Sequence, residues 1–122
     1  MPRGNTVHVV DDDSGFRRGL ERLLKANGLD VRTFGSAEEF EAKADLTEAG
    51  CLILDIHLGG MSGIELRCKL TGSGSDVPVV FVTASDNEAT LRAAVSAGCI
   101  ACLEKPVRAS VLMDVVGEAL AH

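Results

Sequence analysis

The sequence predicts an α/β fold: a doubly wound parallel sheet of five strands in the order 2-1-3-4-5, with five helices. Two observations predict it. Strand-like and helix-like hydrophobic patterns alternate along the 122 residues, and residues 51–54 form the continuous apolar run typical of a strand buried on both faces. Strict alternation favours right-handed crossovers that cover both faces of a parallel sheet. The length suits one domain, so a single domain over residues 1–122 is expected.

The first two strand–helix units are short and clearly bounded. Thr6–Val10 is a β-branched run that predicts strand 1. Residues 14–27 carry apolar side chains at helical spacing, and Gly28 ends this helix. Val31–Phe34 predicts strand 2, and residues 36–39, with the sequence Ser-Ala-Glu-Glu, predict a capping box that opens the second helix.

The middle of the chain contains two buried strands joined by a short helix. Residues 51–54 predict strand 3, and residues 62–70 predict the third helix. The Gly- and Ser-rich segment 71–76 is expected to be a loop. Residues 78–82 predict strand 4, which is again apolar throughout.

The last third of the sequence predicts helix 4, strand 5 and helix 5. Residues 87–97 form a helix that Gly98 closes, residues 100–103 form strand 5, and residues 108–121 form the last helix. Both helices are expected to bury one apolar side. Its members are Leu91, Ala94 and Val95 in helix 4, and Val111, Leu112, Val115, Val116, Ala119 and Leu120 in helix 5.

Composition excludes several classes of function. The net charge of −6 argues against direct nucleic-acid binding by this domain, and four Phe without Trp or Tyr are too few for a base-stacking platform. The longest uncharged stretch, residues 93–103, is shorter than the about 20 residues that cross a bilayer. No apolar leader is visible at the N-terminus, so a cytoplasmic location without membrane contact is expected.

Chemically functional side chains follow four of the predicted strands. They are Asp11, Asp12 and Asp13 after strand 1, Asp55 after strand 3, Thr83 after strand 4 and Lys105 after strand 5. The cleft of such a sheet lies at the carboxyl ends of its strands, here between strands 1 and 3, where the order reverses. Clustered carboxylates need a cation, and oxygen ligands suit Mg²⁺. A carboxylate beside a metal and an ammonium group favours phosphoryl transfer with Asp as the nucleophile.

Each of these residues also has a simpler interpretation. The Asp triplet at 11–13 can cap the following helix, Asp55 can be a turn residue, Thr83 suits any strand, and Lys105 can be a surface charge. Their joint position at four strand ends favours a site. His8 lies within strand 1 and is expected to be a packed core residue.

With these motifs, the chain resembles the receiver domains of two-component response regulators, which have a flavodoxin-like topology. Five segments carry the resemblance: VHVVDDD at 7–13, LILD at 52–55, MSGIEL at 61–66, VVFVTA at 79–84 and EKP at 104–106. The first of them, together with SAEEF at 36–40, is most similar to the FixJ-like branch. Members of that branch usually carry a LuxR-type helix-turn-helix domain after the receiver.

The resemblance implies a role for each matching residue. Asp55 matches the phosphoacceptor for a histidine kinase, and Thr83 and Lys105 match the groups that meet the phosphoryl group. Asp12 matches the direct Mg²⁺ ligand, and Asp11 matches the acid that acts through water. The backbone carbonyl of His57 matches the third protein ligand of the metal. The Lys105–Pro106 bond is expected to be cis, and Asp13 matches only a helix cap.

The same resemblance implies a signalling role. The domain is expected to be no enzyme beyond self-catalysed phosphotransfer and autodephosphorylation. Phosphorylation is expected to switch the face formed by helix 4, strand 5 and helix 5 and to produce a homodimer there, because residues 93–103 are small and largely uncharged. Output through transcription is expected from a C-terminal DNA-binding domain outside this chain.

Four positions depart from the family pattern or vary within it. Cys102 stands where receivers usually carry the Tyr or Phe that rotates when the Thr moves. Gly59 stands where the family usually has Pro. His57 and Ser85 occupy positions whose side chains tune dephosphorylation in the family.

Cysteine spacing supports an alternative, a thiol- or redox-sensing module that uses Cys99 and Cys102. These two residues follow a helix C-terminus, whereas reactive thiolates favour a helix N-terminus. A zinc site would need a second pair of ligands, and Cys51 and Cys68 are expected to lie elsewhere. The four cysteines are therefore interpreted as reduced, small, buried hydrophobic residues. A flavin or nucleotide binder is disfavoured, because the first strand–helix turn is rich in Asp rather than Gly.

Overall fold

The fold class predicted from the sequence is confirmed. The computed structural model describes residues 4–85 and 87–122, so that Met1, Pro2 and Arg3, which entered the argument about a leader, lie outside the described residues. Five parallel strands form one sheet in the order β2-β1-β3-β4-β5. The elements are β1 (Thr6–Val10), α1 (Ser14–Ala26), β2 (Val31–Phe34), α2 (Ala37–Lys43), β3 (Ala49–Asp55), α3 (Gly63–Gly72), β4 (Val79–Thr83), α4 (Glu88–Ala97), β5 (Ala101–Glu104) and α5 (Ala109–Leu120).

The sheet divides the apolar core into two layers. Alternating side chains of β3 serve the two sides: Leu52 and Leu54 pack with residues of α2, α3 and α4, whereas Cys51 and Ile53 pack with α1 and α5. All residues of β1, β3 and β4 are buried. This burial on both faces explains the continuous apolar runs in the sequence.

Helix starts agree with the sequence except in one detail of capping. Ser36 caps α2 by accepting a hydrogen bond from the amide of Glu39, but the Glu39 carboxylate accepts from the amide of Gly35 at 2.8 Å instead of completing the capping box. The full reciprocal box lies at α3, between Ser62 and Glu65. The prediction of a capping box at residues 36–39 is therefore only half right.

Two predictions about helix ends and faces are wrong. The helix α3 continues to Gly72, where the sequence predicted a loop from residue 71, because Gly72 is tolerated in an exposed last turn. Val95 is 68% exposed and Val111 is 40% exposed, so neither lies on the buried side of its helix. Gly28 and Gly98 do follow the ends of α1 and α4, with φ of 80° and 93°.

His8 is a core residue, as predicted. Its side chain is fully buried and its ring lies 5.6 Å from the ring of Phe34 and 5.9 Å from that of Phe40, between centroids. Burial lowers the pKa of His8, although the nearby Glu48 carboxylate opposes this effect.

No helix in the described part of the chain is long and apolar enough to cross a membrane.

Candidate functional site

Two carboxylates lie side by side where the central strands end. Asp11 follows β1 and Asp55 ends β3, and these strands are paired, with Val10 opposite Leu54. Asp11 is fully buried and Asp55 is 4% exposed. Burying two adjacent negative charges is costly, so a positive charge is required nearby.

Lys105 supplies that charge from the end of β5. Its Nζ lies 2.9 Å from Asp11 Oδ2 and 3.5 Å from Asp55 Oδ2. The same ammonium lies 4.3 Å from the centre of the Phe16 ring, which α1 contributes. One cation is therefore shared by two acids and placed against an aromatic face.

The surroundings raise the pKa of both Asp55 and Lys105, but for different reasons. Burial, followed by the charge of Asp11, raises the pKa of Asp55 to about 6, although Lys105 and the hydrogen bond from His57 oppose this. Burial lowers the pKa of Lys105, but its hydrogen bond and charge interaction with Asp11, together with Asp55, outweigh burial and leave the pKa raised. Lys105 therefore remains protonated at neutral pH.

Backbone amides orient both buried carboxylates. The amide of Asp13 donates to Asp11 Oδ1 at 2.9 Å, and the amide of His57 donates to Asp55 Oδ1 at 3.1 Å. Arg17 holds the main chain at this point, because its guanidinium donates to the carbonyl oxygen of Asp11 at 2.6 Å. Asp13 caps α1, as predicted, by accepting hydrogen bonds from two amides of its first turn.

Thr83 ends β4 and is fully buried. Its hydroxyl oxygen accepts a hydrogen bond from the amide of Ser85 at 3.0 Å. Its carbonyl accepts one from the amide of Lys105 at 2.7 Å, which ties the ends of β4 and β5 together. The Lys105–Pro106 peptide bond is cis, as predicted.

The donor set at this edge fits a divalent cation. Asp11, Asp12 and Asp55 each offer a carboxylate oxygen, and these oxygens lie within 4.8 Å of one another. Asp12 is exposed, so that solvent can complete a partly hydrated shell of hard oxygen ligands, as Mg²⁺ prefers. His57 is also exposed, and the structure places its amide against Asp55.

The loop after β3 approaches the acidic cluster closely. A Cβ added at Gly59 would lie 3.8 Å from Asp12 Oδ2, and one added at Gly63 would overlap the carbonyl oxygen of Asp55. The amide of Met61 donates to Glu38 Oε2 of α2 at 3.0 Å. Sequence reasoning missed Glu38 because a contact between residues 23 positions apart leaves no periodic signal.

The cysteines form no comparable cluster. All four are free, and the acidic group that could hold a metal ion within residues 4–85 and 87–122 contains no cysteine. Burial raises the pKa of the Cys99 and Cys102 thiols, which disfavours reactive thiolates. The prediction that all four are buried is wrong: Cys51 is buried, Cys99 and Cys102 are half-buried, and Cys68 lies on the exposed side of α3.

Comparison with known proteins favours a receiver domain over a thiol-sensing module. The family model for the response regulator receiver domain matches residues 7–117. The chain belongs to the response regulator receiver domain family. The thiol-sensing alternative is not favoured by this match.

Relatives of this receiver domain include two transcriptional regulatory proteins. The transcriptional regulatory protein TdiR of Thauera aromatica is 39% identical over 118 residues, which is 96% of this chain and 52% of TdiR. The transcriptional regulatory protein FixJ of Rhizobium meliloti is 32% identical over 117 residues, which is 96% of this chain and 57% of FixJ. The receiver domain thus spans about half the length of the curated relatives it matches.

Solved structures show the same architecture. The crystal structure of FixJ-N is 31% identical to this receiver domain, with a TM-score of 0.89, and the match covers 99% of this chain and 97% of that chain. The structure of the response regulator StyR is 43% identical, with a TM-score of 0.87, over 95% of this chain and 59% of that chain.

Proposed function

We propose that Asp55 accepts a phosphoryl group from the phosphohistidine of a partner histidine kinase. The observation that carries this proposal is a buried carboxylate at a strand end, 3.5 Å from an ammonium group and in a cluster of three acids. Receiver domains of response regulators are signalling domains, so the reaction serves as a switch and not as catalysis of a substrate's turnover.

The proposed transfer needs a nucleophile and groups that stabilise the phosphoryl oxygens. An oxygen of the ionised Asp55 attacks phosphorus, the new P–O bond forms, and the P–N bond to the kinase histidine breaks as its electron pair returns to the imidazole. Lys105 stands where its ammonium can pair with a phosphoryl oxygen, and the Thr83 hydroxyl can donate to another.

A divalent cation completes the proposed site. Asp12, Asp11 and Asp55 would hold it, with the backbone carbonyl of His57 as a further proposed ligand. Mg²⁺, when bound, supplies positive charge that stabilises the transferring phosphoryl oxygens. The three carboxylates carry more negative charge than the Lys105 ammonium can neutralise, which supports this assignment.

We further propose that phosphorylation controls transcription. The relatives TdiR and FixJ are transcriptional regulators, and the chain matches about half of each. In this proposal a separate DNA-binding domain of the natural protein binds DNA, and the protein acts in the cytoplasm. In the phosphorylated state, α4, β5 and α5 would form the surface of a homodimer. Two of the large exposed hydrophobic residues in the described part of the chain, Val95 and Val111, lie on α4 and α5.

Phosphorylation of single variants tests the assignment of Asp55. With a small-molecule phosphoryl donor and Mg²⁺, we expect the wild-type protein to acquire one acid-labile phosphoryl group, as an aspartyl phosphate is, detected by intact mass and located by peptide mapping. Asp55→Asn should acquire none, because an amide is not a nucleophile for phosphorus. Asp13→Asn serves as the control, because Asn preserves the helix cap; equal labelling of Asp55→Asn and wild type would overturn the proposal.

A further inference from the structure

The loop between β3 and α3 is intrinsically difficult to order. It contains two successive glycines, Gly59 and Gly60, which have more conformational freedom in an open chain than any other residue. This loop borders the acidic cluster, since a Cβ at Gly59 would lie 3.8 Å from Asp12 Oδ2. The position of the loop therefore decides how much room remains beside Asp12.

Glu38 of α2 holds this loop from the outside. Its Oε2 accepts the hydrogen bond from the amide of Met61 at 3.0 Å, and a Cβ added at Gly60 would stand 2.7 Å from the same oxygen. A side chain at position 60 would therefore displace the end of the Glu38 side chain. The hydrogen bond from Met61 is the main cause of a lowered pKa for Glu38.

We propose that Glu38 is a positioning residue for the cation site: by anchoring Met61 it fixes the Gly59–Gly60 loop beside Asp12 and so raises the affinity for Mg²⁺. The inference rests on the proposed function, because it concerns the same Asp11–Asp12–Asp55 cluster. It assigns to a residue of α2 the loop restraint that a proline at position 59 would otherwise provide through its fixed φ.

The physical basis is a change in the population of the loop. If only a fraction of the loop conformations is competent to bind the cation, the apparent dissociation constant rises as that fraction falls. A single hydrogen bond contributes a modest net stabilisation, so its loss should change the equilibrium constant between competent and other loop conformations by about threefold to tenfold. The competent fraction, and with it the Mg²⁺ affinity, falls by the same factor when the competent conformations are in the minority.

Amide exchange and Mg²⁺ titration of three variants test the proposal. Glu38→Ala removes the acceptor, Glu38→Gln keeps an acceptor without the charge, and Glu41→Ala is the control, since Glu41 is on the same helix but pairs with Lys69 at 2.9 Å. The chain has neither Trp nor Tyr, so amide chemical shifts should report the Mg²⁺ titration. Circular dichroism in urea measures the stability of each variant.

In Glu38→Ala we expect the Met61 amide to exchange about threefold to tenfold faster in the cation-free protein and the Mg²⁺ dissociation constant to rise by a similar factor. Glu38→Gln should recover most of both effects, and Glu41→Ala should show neither. Gly60→Ala should reproduce the loss, because its methyl group displaces the Glu38 carboxylate while leaving that residue in place.

Two results would overturn the inference. Unchanged exchange of Met61 in Glu38→Ala would show that the contact does not restrain the loop, and faster exchange with unchanged Mg²⁺ affinity would show that the restraint is irrelevant to the site. Both results differ from a failure of the proposed function. If the proposed cation site is wrong, Mg²⁺ will cause no chemical-shift changes in the wild-type protein, or Asp12→Asn and Asp55→Asn will show the same changes as the wild type.

Discussion

The charge around Lys105 is unbalanced at the level of single residues. One ammonium group lies against two buried carboxylates, and a third carboxylate, that of Asp12, is nearby. Since the acids outnumber the cation, the site retains net negative charge in the absence of a metal. This imbalance costs folding free energy and at the same time creates the attraction for a divalent cation.

Neutralising Asp55 should therefore stabilise the protein when no cation is present. We expect Asp55→Asn to raise the free energy of unfolding by about 1–3 kcal/mol, because the raised pKa of Asp55 reports a destabilised charged form. Urea unfolding in a chelator, followed by circular dichroism, measures the change. Asp114→Asn on the exposed side of α5 is the control and should change little; a loss of stability in Asp55→Asn would contradict the expectation.

His8 should make stability depend on pH. Its pKa is lowered in the folded protein, mainly by burial, so the unfolded chain takes up the proton first as pH falls. The contribution of His8 is complete above about pH 6.5, the unfolded value, and is lost as pH falls through the folded value, by at most about 1.4 kcal/mol per pH unit.

Comparing the pH dependence of wild type and His8→Leu isolates this effect. As pH falls from 7.5 to 5.5, we expect the free energy of unfolding to decrease more for the wild type than for His8→Leu. The charged neighbours of the ring, Glu48, Arg32 and Asp45, are present in both proteins. Parallel curves would show that His8 does not titrate in this window.

Sequence reasoning placed the strand-end residues but missed their supporting partners. Asp11, Asp55 and Lys105 were predictable because parallel strands end at one edge of the sheet. Phe16 and Glu38 were not, because their contacts with Lys105 and Met61 depend on how α1 and α2 pack against that edge. The exposure of Cys68 was missed because composition alone does not indicate which side of α3 faces the core.

At the level of elements, a single glycine allows α3 to begin close to β3. Gly63 is buried, and its amide donates to the carbonyl of Ile56 at 3.1 Å. A side chain at this position would overlap the backbone of Asp55. The helix therefore starts close to β3 only because this position has no Cβ.

Gly63→Ala should consequently lower the free energy of unfolding by about 1–3 kcal/mol, since the overlap is with backbone that cannot move freely. Gly117→Ala is the matched control within α5: nothing lies within 4 Å of its added methyl group, and helix propensity predicts a gain of about 0.5–1 kcal/mol. Urea unfolding of both variants measures these opposite signs. Stabilisation by Gly63→Ala would show that α3 can shift away from β3.

The order and type of all ten elements were predictable, whereas several ends were not. β3 begins at Ala49 and not at residue 51 because Ala49 pairs with Thr6 across a register irregularity in β1, which no local pattern announces. The interpretation of Val95 as buried failed because a short helix with apolar residues on more than one side does not reveal which side faces the sheet.

At the level of the whole molecule, the exposed Val95 supports the proposed dimer surface. With beryllofluoride and Mg²⁺ as a phosphoryl mimic, we expect sedimentation to show a higher mass for the wild type and less association for Val95→Lys, because a charge would be buried on contact. Leu46→Lys replaces another exposed apolar residue, outside α4, β5 and α5, and is the control. A wild-type protein that stays monomeric at high concentration would contradict the proposed dimer.

The five strands also differ in how firmly they are held. β1 and β3 are completely buried and paired on both edges, whereas β5 is a partly exposed edge strand that pairs with β4 alone in the described part of the chain. Regions with such an edge open in fluctuations that leave the centre of a domain intact. The two acids are thus attached to central strands, whereas their lysine follows an edge strand. Each partial opening of β5 would separate the ammonium from the carboxylates and leave a more negative cleft, so that cation occupancy and the integrity of this edge are thermodynamically linked.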